Sequence, residues 1–235
     1  MSDTGTAEHE EQYAQYRQQS KQDFDQYLSD FERTAQQGSL EEITQWKDHF
    51  QQLAQTYNEA AQNDPNNDKQ RVWQSAAENV DYAAQTLGAI NDMDTSGFAD
   101  SLRNAHGSMQ NVSGERDGED DEKKTSLRDH RQRATESSNQ LEQLSSKASD
   151  AKRLSRQEVQ QMRTDIQDVH QNTHSTSNDH RGADEQAGEH YDTALEHMNT
   201  ANQWGESLGG CFDQADRAVE ALKGASEALN QLASS

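Results

Sequence analysis

The sequence predicts an all-α fold: a helical bundle followed by an elongated antiparallel coiled-coil-like helical half. Three observations lead there. Apolar residues recur at alternating steps of three and four almost from end to end, the spacing of helices that meet through a narrow seam. The 235 residues include one proline and 29 glutamines, and Gln propagates helix where Pro breaks it. Val, Ile and Thr never gather in alternating runs, so strand signals are nearly absent.

The first helix is expected from about Ala7 to Gln37, with Tyr13, Tyr16, Ser20, Phe24, Tyr27, Phe31 and Ala35 on one face and Gly38 ending it. Ser39 and Glu42 then form a capping-box pattern, which opens a second helix carrying Ile43, Trp46, Phe50, Leu53, Tyr57 and Ala60. Asn63-Asp64-Pro65-Asn66-Asn67 reads as a loop. A third helix follows with Trp73, Ala76, Val80, Ala83, Leu87 and Ile90. After a turn over 91–97, a short fourth helix is marked by Phe98, Leu102, Ala105, Met109 and Val112. Residues 1–112 are therefore expected to form an N-terminal bundle of about four helices, since short loops favour antiparallel neighbours.

Residues 113–124 contain no apolar side chain and two glycines, and read as an acidic flexible linker. Beyond it, 125–235 is the long-helix, coiled-coil-like region, where aromatics become scarce and alanine fills the seam. Leu141, Leu144, Ala148 and Ala151 lead to a second capping box, Ser155 with Glu158, and Val159, Met162, Ile166 and Val169 continue the spacing. The polar stretch 171–179 reads as a loop. The last segment holds one register through Ala187, Tyr191, Ala194, Met198, Ala201, Leu208, Phe212, Ala215, Val219, Leu222 and Leu229, the expected interaction seam. That continuity predicts a single helix of about 40 residues, near 60 Å long. Gly205, Gly209 and Gly210 oppose it, each costing about 1 kcal/mol in a helix interior.

Composition constrains the setting. The formal net charge is −22, from 43 Asp and Glu against 21 Lys and Arg, and mean hydropathy is −1.27. Leu, Ile, Val and Phe number only 28, enough for thin seams and too few for a broad core. Such acidity costs self-repulsion in dilute buffer and is screened in molar salt, so a halophile or its virus is the simplest setting. No basic stripe exists to neutralise phosphates, which argues against direct nucleic-acid binding. No run is long and apolar enough for a transmembrane segment, and the acidic N-terminus lacks the apolar stretch of a signal peptide. A cytoplasmic or virion location is expected. The single cysteine, Cys211, forms no intramolecular disulfide and reads as a small seam residue.

Two groups are candidate metal ligands. Asp92, Asp94, Ser96 and Asp100, with Gly97 at the sixth position, resemble the start of an EF-hand calcium loop. Arg103 stands where that loop needs its closing Glu, so an ordinary Asp/Ser/Gly turn is the preferred reading. His170 and His174 lie four apart, a zinc-compatible spacing on a helix, and with His180, His190 and His197 they are read as solvated side chains. No phosphate loop, nucleophile elbow or zincin motif is present, so no catalytic residue and no cofactor is assigned. Trp204-Gly205-Glu206 is similar to the Trp-x-Gly turn of the small type VII-secreted helical hairpins. Its Gly comes one position early and the seam register runs through it, so the match is not adopted.

The function expected is therefore non-enzymatic. A structural, scaffold or adaptor protein would act through helix–helix assembly with itself or another helical protein. The alternatives are a secreted or virion-delivered helical protein acting on another cell or envelope, and a metal-responsive binding module.

Overall fold

The computed structural model describes residues 3–114 and 118–234. The fold is all-α, with no strand among the described residues. Helices are α1 (Asp3–Gln37), α2 (Leu40–Thr44), α3 (Trp46–Asn63), α4 (Asn67–Asn91), α5 (Ser96–Ser113), α6 (Asp121–Ala148), α7 (Arg156–Arg181) and α8 (Glu185–Ala233).

Both capping boxes are formed. The Ser39 side chain accepts from Glu42 N at 3.2 Å, and the Glu42 carboxylate accepts from Ser39 N at 2.8 Å. Ser155 and Glu158 repeat the arrangement at 3.3 and 2.8 Å. Asn66 caps α4 by accepting from Asp68 N, and Asp120 caps α6 by accepting from Lys123 N.

Two expectations are corrected, and the single long helix expected at the end of the sequence is found. Residues 171–179 are not a loop, because α7 continues to Arg181. Thr173, Thr176, Ser177 and His180 occupy its buried face, so the helical register is carried there by polar side chains that an apolar count overlooks. Helix α6 begins at Asp121, inside the stretch read as linker, and the middle of that stretch, 115–117, lies outside the described residues. Helix α8 spans 49 residues and passes through Gly205, Gly209 and Gly210 without a break. Burying Leu208 and Phe212 on either side contributes about 1.5–3 kcal/mol each, which offsets glycine costs of about 1 kcal/mol each. No turn forms at Trp204-Gly205-Glu206.

The helices form two compact units. The first comprises residues through Met93 and from Cys211 on; the second runs from Asp94 to Gly210. The first unit therefore holds α1, α2, α3, α4 and the end of α8, while the second holds α5, α6, α7 and the beginning of α8. Each unit takes its fourth helix from the other half of the sequence.

In the first unit, Phe24, Phe31, Phe50, Tyr57 and Trp73 build an aromatic core, all at most 2% exposed. The end of α8 docks on α1 through Ser226 Oγ to Asp25 Oδ1 (3.1 Å) and Lys223 to Glu32 (3.5 Å). In the second unit, α5 meets α6 where His106 Nδ1 lies 2.9 Å from both the hydroxyl and the carbonyl oxygen of Ser138. Gly97 lies under the Trp204 indole, where a Cβ would overlap the ring.

The two units share one plan. From Ser39, the positions Ile43, Trp46, Phe50, Leu53, Tyr57, Ala60, Ala61 and Asp64 match, step for step from Ser155, Val159, Met162, Ile166, Val169, Thr173, Thr176, Ser177 and His180. Trp73, Ala76, Val80, Ala83, Leu87 and Ile90 of α4 have the spacing of Tyr191, Ala194, Met198, Ala201, Gly205 and Leu208 of α8. Ser20, Phe24, Tyr27 and Phe31 of α1 match Ser137, Leu141, Leu144 and Ala148 of α6 in the same way.

Candidate functional site

The shared plan allows the same positions to be compared between the units, and two places differ chemically. The first is a buried polar node where the third helix begins. In the first unit, the Asp64 carboxylate is sealed from solvent and accepts four hydrogen bonds. Two come from Arg17, Nε at 2.9 Å and Nη2 at 2.5 Å; the others come from Trp73 Nε1 at 3.0 Å and Asn66 N at 2.9 Å. Arg17, 2% exposed, also donates from Nη1 to Glu10 at 2.8 Å. Burial pushes the Asp64 carboxyl up, but the hydrogen bonds from Arg17, Asn66 and Trp73 outweigh it and hold the carboxyl below the usual range.

In the second unit no ion pair stands at these positions, and a buried pair forms elsewhere, between Arg131 Nη2 and Glu119 Oε1 at 2.5 Å. His180 stands at the position of Asp64, and Ala134 at that of Arg17. The fully buried His180 places Nδ1 3.0 Å from the Tyr191 hydroxyl and stacks on His130, ring centroids 4.9 Å apart. Burial pushes the Tyr191 phenol up to about 12. His180 was expected to be solvated; it is a core residue, because the seam of α7 extends beyond the stretch read as a loop.

The second difference lies between the first two long helices of each unit. In the first unit this space is filled by rings: Tyr27 and His49 meet edge to face at 4.5 Å, beside Trp46, Phe50 and Phe31. Burial lowers the His49 imidazole below its ordinary value. In the second unit the counterparts are Leu144 and Asp165, beside Met162, Ile166 and Ala148. The missing ring volume appears as a groove along α6 and α7. One cavity of about 370 Å³ has Leu144 and Val169, 5% and 3% exposed, at its floor. Its walls carry the amides of Gln140, Gln143 and Asn172, the carboxylates of Asp165 and Asp168, and Lys147. A second cavity of about 280 Å³ shares Gln140 and Asn172 with it and extends toward Arg133 and Glu136. Between α6 and α7, Thr173 Oγ1 donates to Ser137 Oγ at 3.4 Å, at the positions that Tyr57 and Ser20 hold in the first unit.

The sequence candidates for metal ligation are placed as follows. Asp92 ends α4. Asp94 Oδ1 accepts from Ser96 N at 2.9 Å, which lowers its carboxyl. Ser96 is the first residue of α5, and Asp100 pairs with Arg103, the residue standing where an EF-hand loop has its Glu. His170 and His174 share α7; His170 is half-buried and its imidazole is lowered by burial and by His174, while His174 is exposed. Among the described residues, no three His, Cys, Asp or Glu side chains are gathered closely enough to hold a metal ion.

The expected interaction seam is occupied within the chain. Ala187, Tyr191, Ala194, Met198, Ala201, Leu208, Phe212, Ala215, Leu222 and Leu229 are at most 1% exposed, and Val219 is 8% exposed. Cys211, 6% exposed, sits with Sγ 3.2 Å from Met93 Sδ. Among the described residues, no helix is long and apolar enough to cross a membrane.

The node and the groove were not found from the sequence. The available signal was the repeated capping box and the identical spacing after it, which align Asp64 with His180 and His49 with Asp165. The chain matches no protein-family model, no curated protein and no solved structure, so the reading of this site rests on its own geometry.

Proposed function

We propose that this protein is a non-enzymatic structural, scaffold or adaptor protein of a halophile or its virus, acting through helix–helix assembly. The observation that carries the reading is the groove along α6 and α7: one cavity lined by Leu144 and Val169 with amide and charged side chains around them, continued by a cavity lined by polar side chains alone. Gln and Asn amides both donate and accept, so such walls suit the polar atoms of another polypeptide. The seam of α8 supports the reading in another way. Its apolar side chains are already buried within the chain, so this frame can present an open face without needing that seam for a partner.

The acid surface bears on the setting. A net charge of −22 repels itself across the molecule, and a Debye length of about 3 Å at 1 M salt removes most of that repulsion. Light scattering together with circular dichroism, on the whole chain from 0.1 M to 3 M KCl as roughly low and near-saturating screening, tests the proposal. Stable helix with a mass above the monomer, alone or with a co-purifying helical protein, is the expected result. A monomer at every salt concentration with no partner would sink it.

A further inference from the structure

We propose that the α6–α7 groove is a docking site for a partner segment that inserts aromatic side chains flanked by arginine or lysine. This rests on the assembly reading and names the chemistry of the partner.

The argument comes from the other unit. The same space, between helices following the same plan, is filled in the first unit by Tyr27 and His49, two rings that each carry a polar atom. Where they stand, the second unit has Leu144 and Asp165, and a cavity of about 370 Å³ remains. A phenol or indole edge is therefore the shape that fits, resting on Leu144 and Val169 with its polar atom within reach of the Gln140, Gln143 and Asn172 amides.

The charge of the partner follows from the walls. The α7 side offers Asp165, to which Gln161 donates at 2.8 Å, and the exposed Asp168. Those two carboxylates on one helix face, in a protein of net charge −22, favour a cationic flank and disfavour a second copy of this acidic chain. On the α6 side Lys147 and Arg133 outnumber the one acid, Glu136, so the basic residues belong on the α7 side of the inserted segment.

The probe is a blocked 20-residue peptide with Tyr every third or fourth position along one face and Arg beside them, titrated calorimetrically into the whole protein in 1 M KCl. A control peptide has every Tyr replaced by Ala. The high salt screens general attraction to the acidic surface, so what remains reports the groove. The expected result is one peptide bound per chain, and at least tenfold weaker binding of the Ala peptide. Two variants localise it. Leu144→Tyr/Asp165→His rebuilds the ring pair of the first unit and closes the groove; Asp168→Lys reverses an exposed charge on its rim and leaves the core untouched. Each is expected to weaken binding at least tenfold with an unchanged helix signal, the charge reversal being read in about 0.1 M KCl, where an exposed carboxylate is not screened.

Equal binding of both peptides, or full binding by Asp168→Lys in about 0.1 M KCl, would overturn the proposal, as would no binding to the unmodified protein. Loss of self-association in Leu144→Tyr/Asp165→His, with peptide binding absent, would assign the groove to a second copy instead. Light scattering on the unmodified chain reads assembly independently. A chain that assembles but ignores the peptide refutes the docking chemistry alone.

Discussion

Replacing Asp64 with alanine removes the acceptor for four donors at once and leaves a guanidinium that is 2% exposed facing the space. Breaking a buried ion pair by deleting one partner costs about 3–5 kcal/mol, because the remaining charge is stranded away from water. Glu10 still accepts from Arg17 Nη1 at 2.8 Å, which places the expected loss near the lower end, about 3 kcal/mol. For a chain of this size that corresponds to a fall in Tm of roughly 6–12 °C. Urea unfolding followed by circular dichroism, in 3 M KCl as roughly full screening, measures the loss; the pair is buried, so salt should change it little. Arg17→Met/Asp64→Leu should recover most of the stability, since paired apolar replacements of a buried ion pair are often neutral or better.

The pH dependence supplies a second reading of the same pair. The folded carboxyl lies below its unfolded value of about 3.9. Its contribution is therefore complete above that pH and lost as pH falls through the folded value. Wild type should lose stability more steeply than Asp64→Ala in that acid range. The reasoning fails if Asp64→Ala costs under about 1 kcal/mol, or if the double variant loses the sum of the two single losses.

Other parts of the fold give independent expectations. Burial holds His49 below its ordinary value, so the neutral form is favoured in the folded state. Stability should then fall as pH drops through the unfolded value of about 6.5, and urea midpoints at mildly alkaline and mildly acidic pH should differ less in His49→Phe than in wild type. Gly97→Ala drives a methyl into the Trp204 indole and should cost about 1–3 kcal/mol of unfolding free energy. Gly205→Ala sets a Cβ 2.6 Å from Arg163 Cγ, near the root of that side chain, so Arg163 must shift; a helix-propensity gain of about 1 kcal/mol offsets part of the cost, and the same assay should show a smaller loss than for Gly97→Ala. Cutting the chain within 115–117 separates each unit from its fourth helix. Both halves together should therefore regain the intact helix signal, measured by circular dichroism on mixing, while either half alone shows less.

The sequence by itself determined most of the helices, and the starts that its two capping boxes mark. Steps of three and four, two Ser/Glu capping boxes and a single proline are local signals; helix hydrogen bonds and caps form between residues at most a few positions apart. They marked α1, the α2–α3 segment, α4, α5 and the continuity of α8. They failed at Thr173, Thr176, Ser177 and His180, where buried polar side chains carry the register and no apolar residue announces it. The second capping box, followed by the spacing of the first, already contained the internal repeat.

Only the tertiary structure decided how helices are shared between units and which polar residues meet. Arg17 and Asp64 stand 47 positions apart, and nothing in local spacing singles out that carboxylate among 43 acidic residues. The groove was equally invisible. It arises because Leu144 and Asp165 occupy positions that Tyr27 and His49 fill elsewhere, and an empty volume exists only once two helices are set side by side.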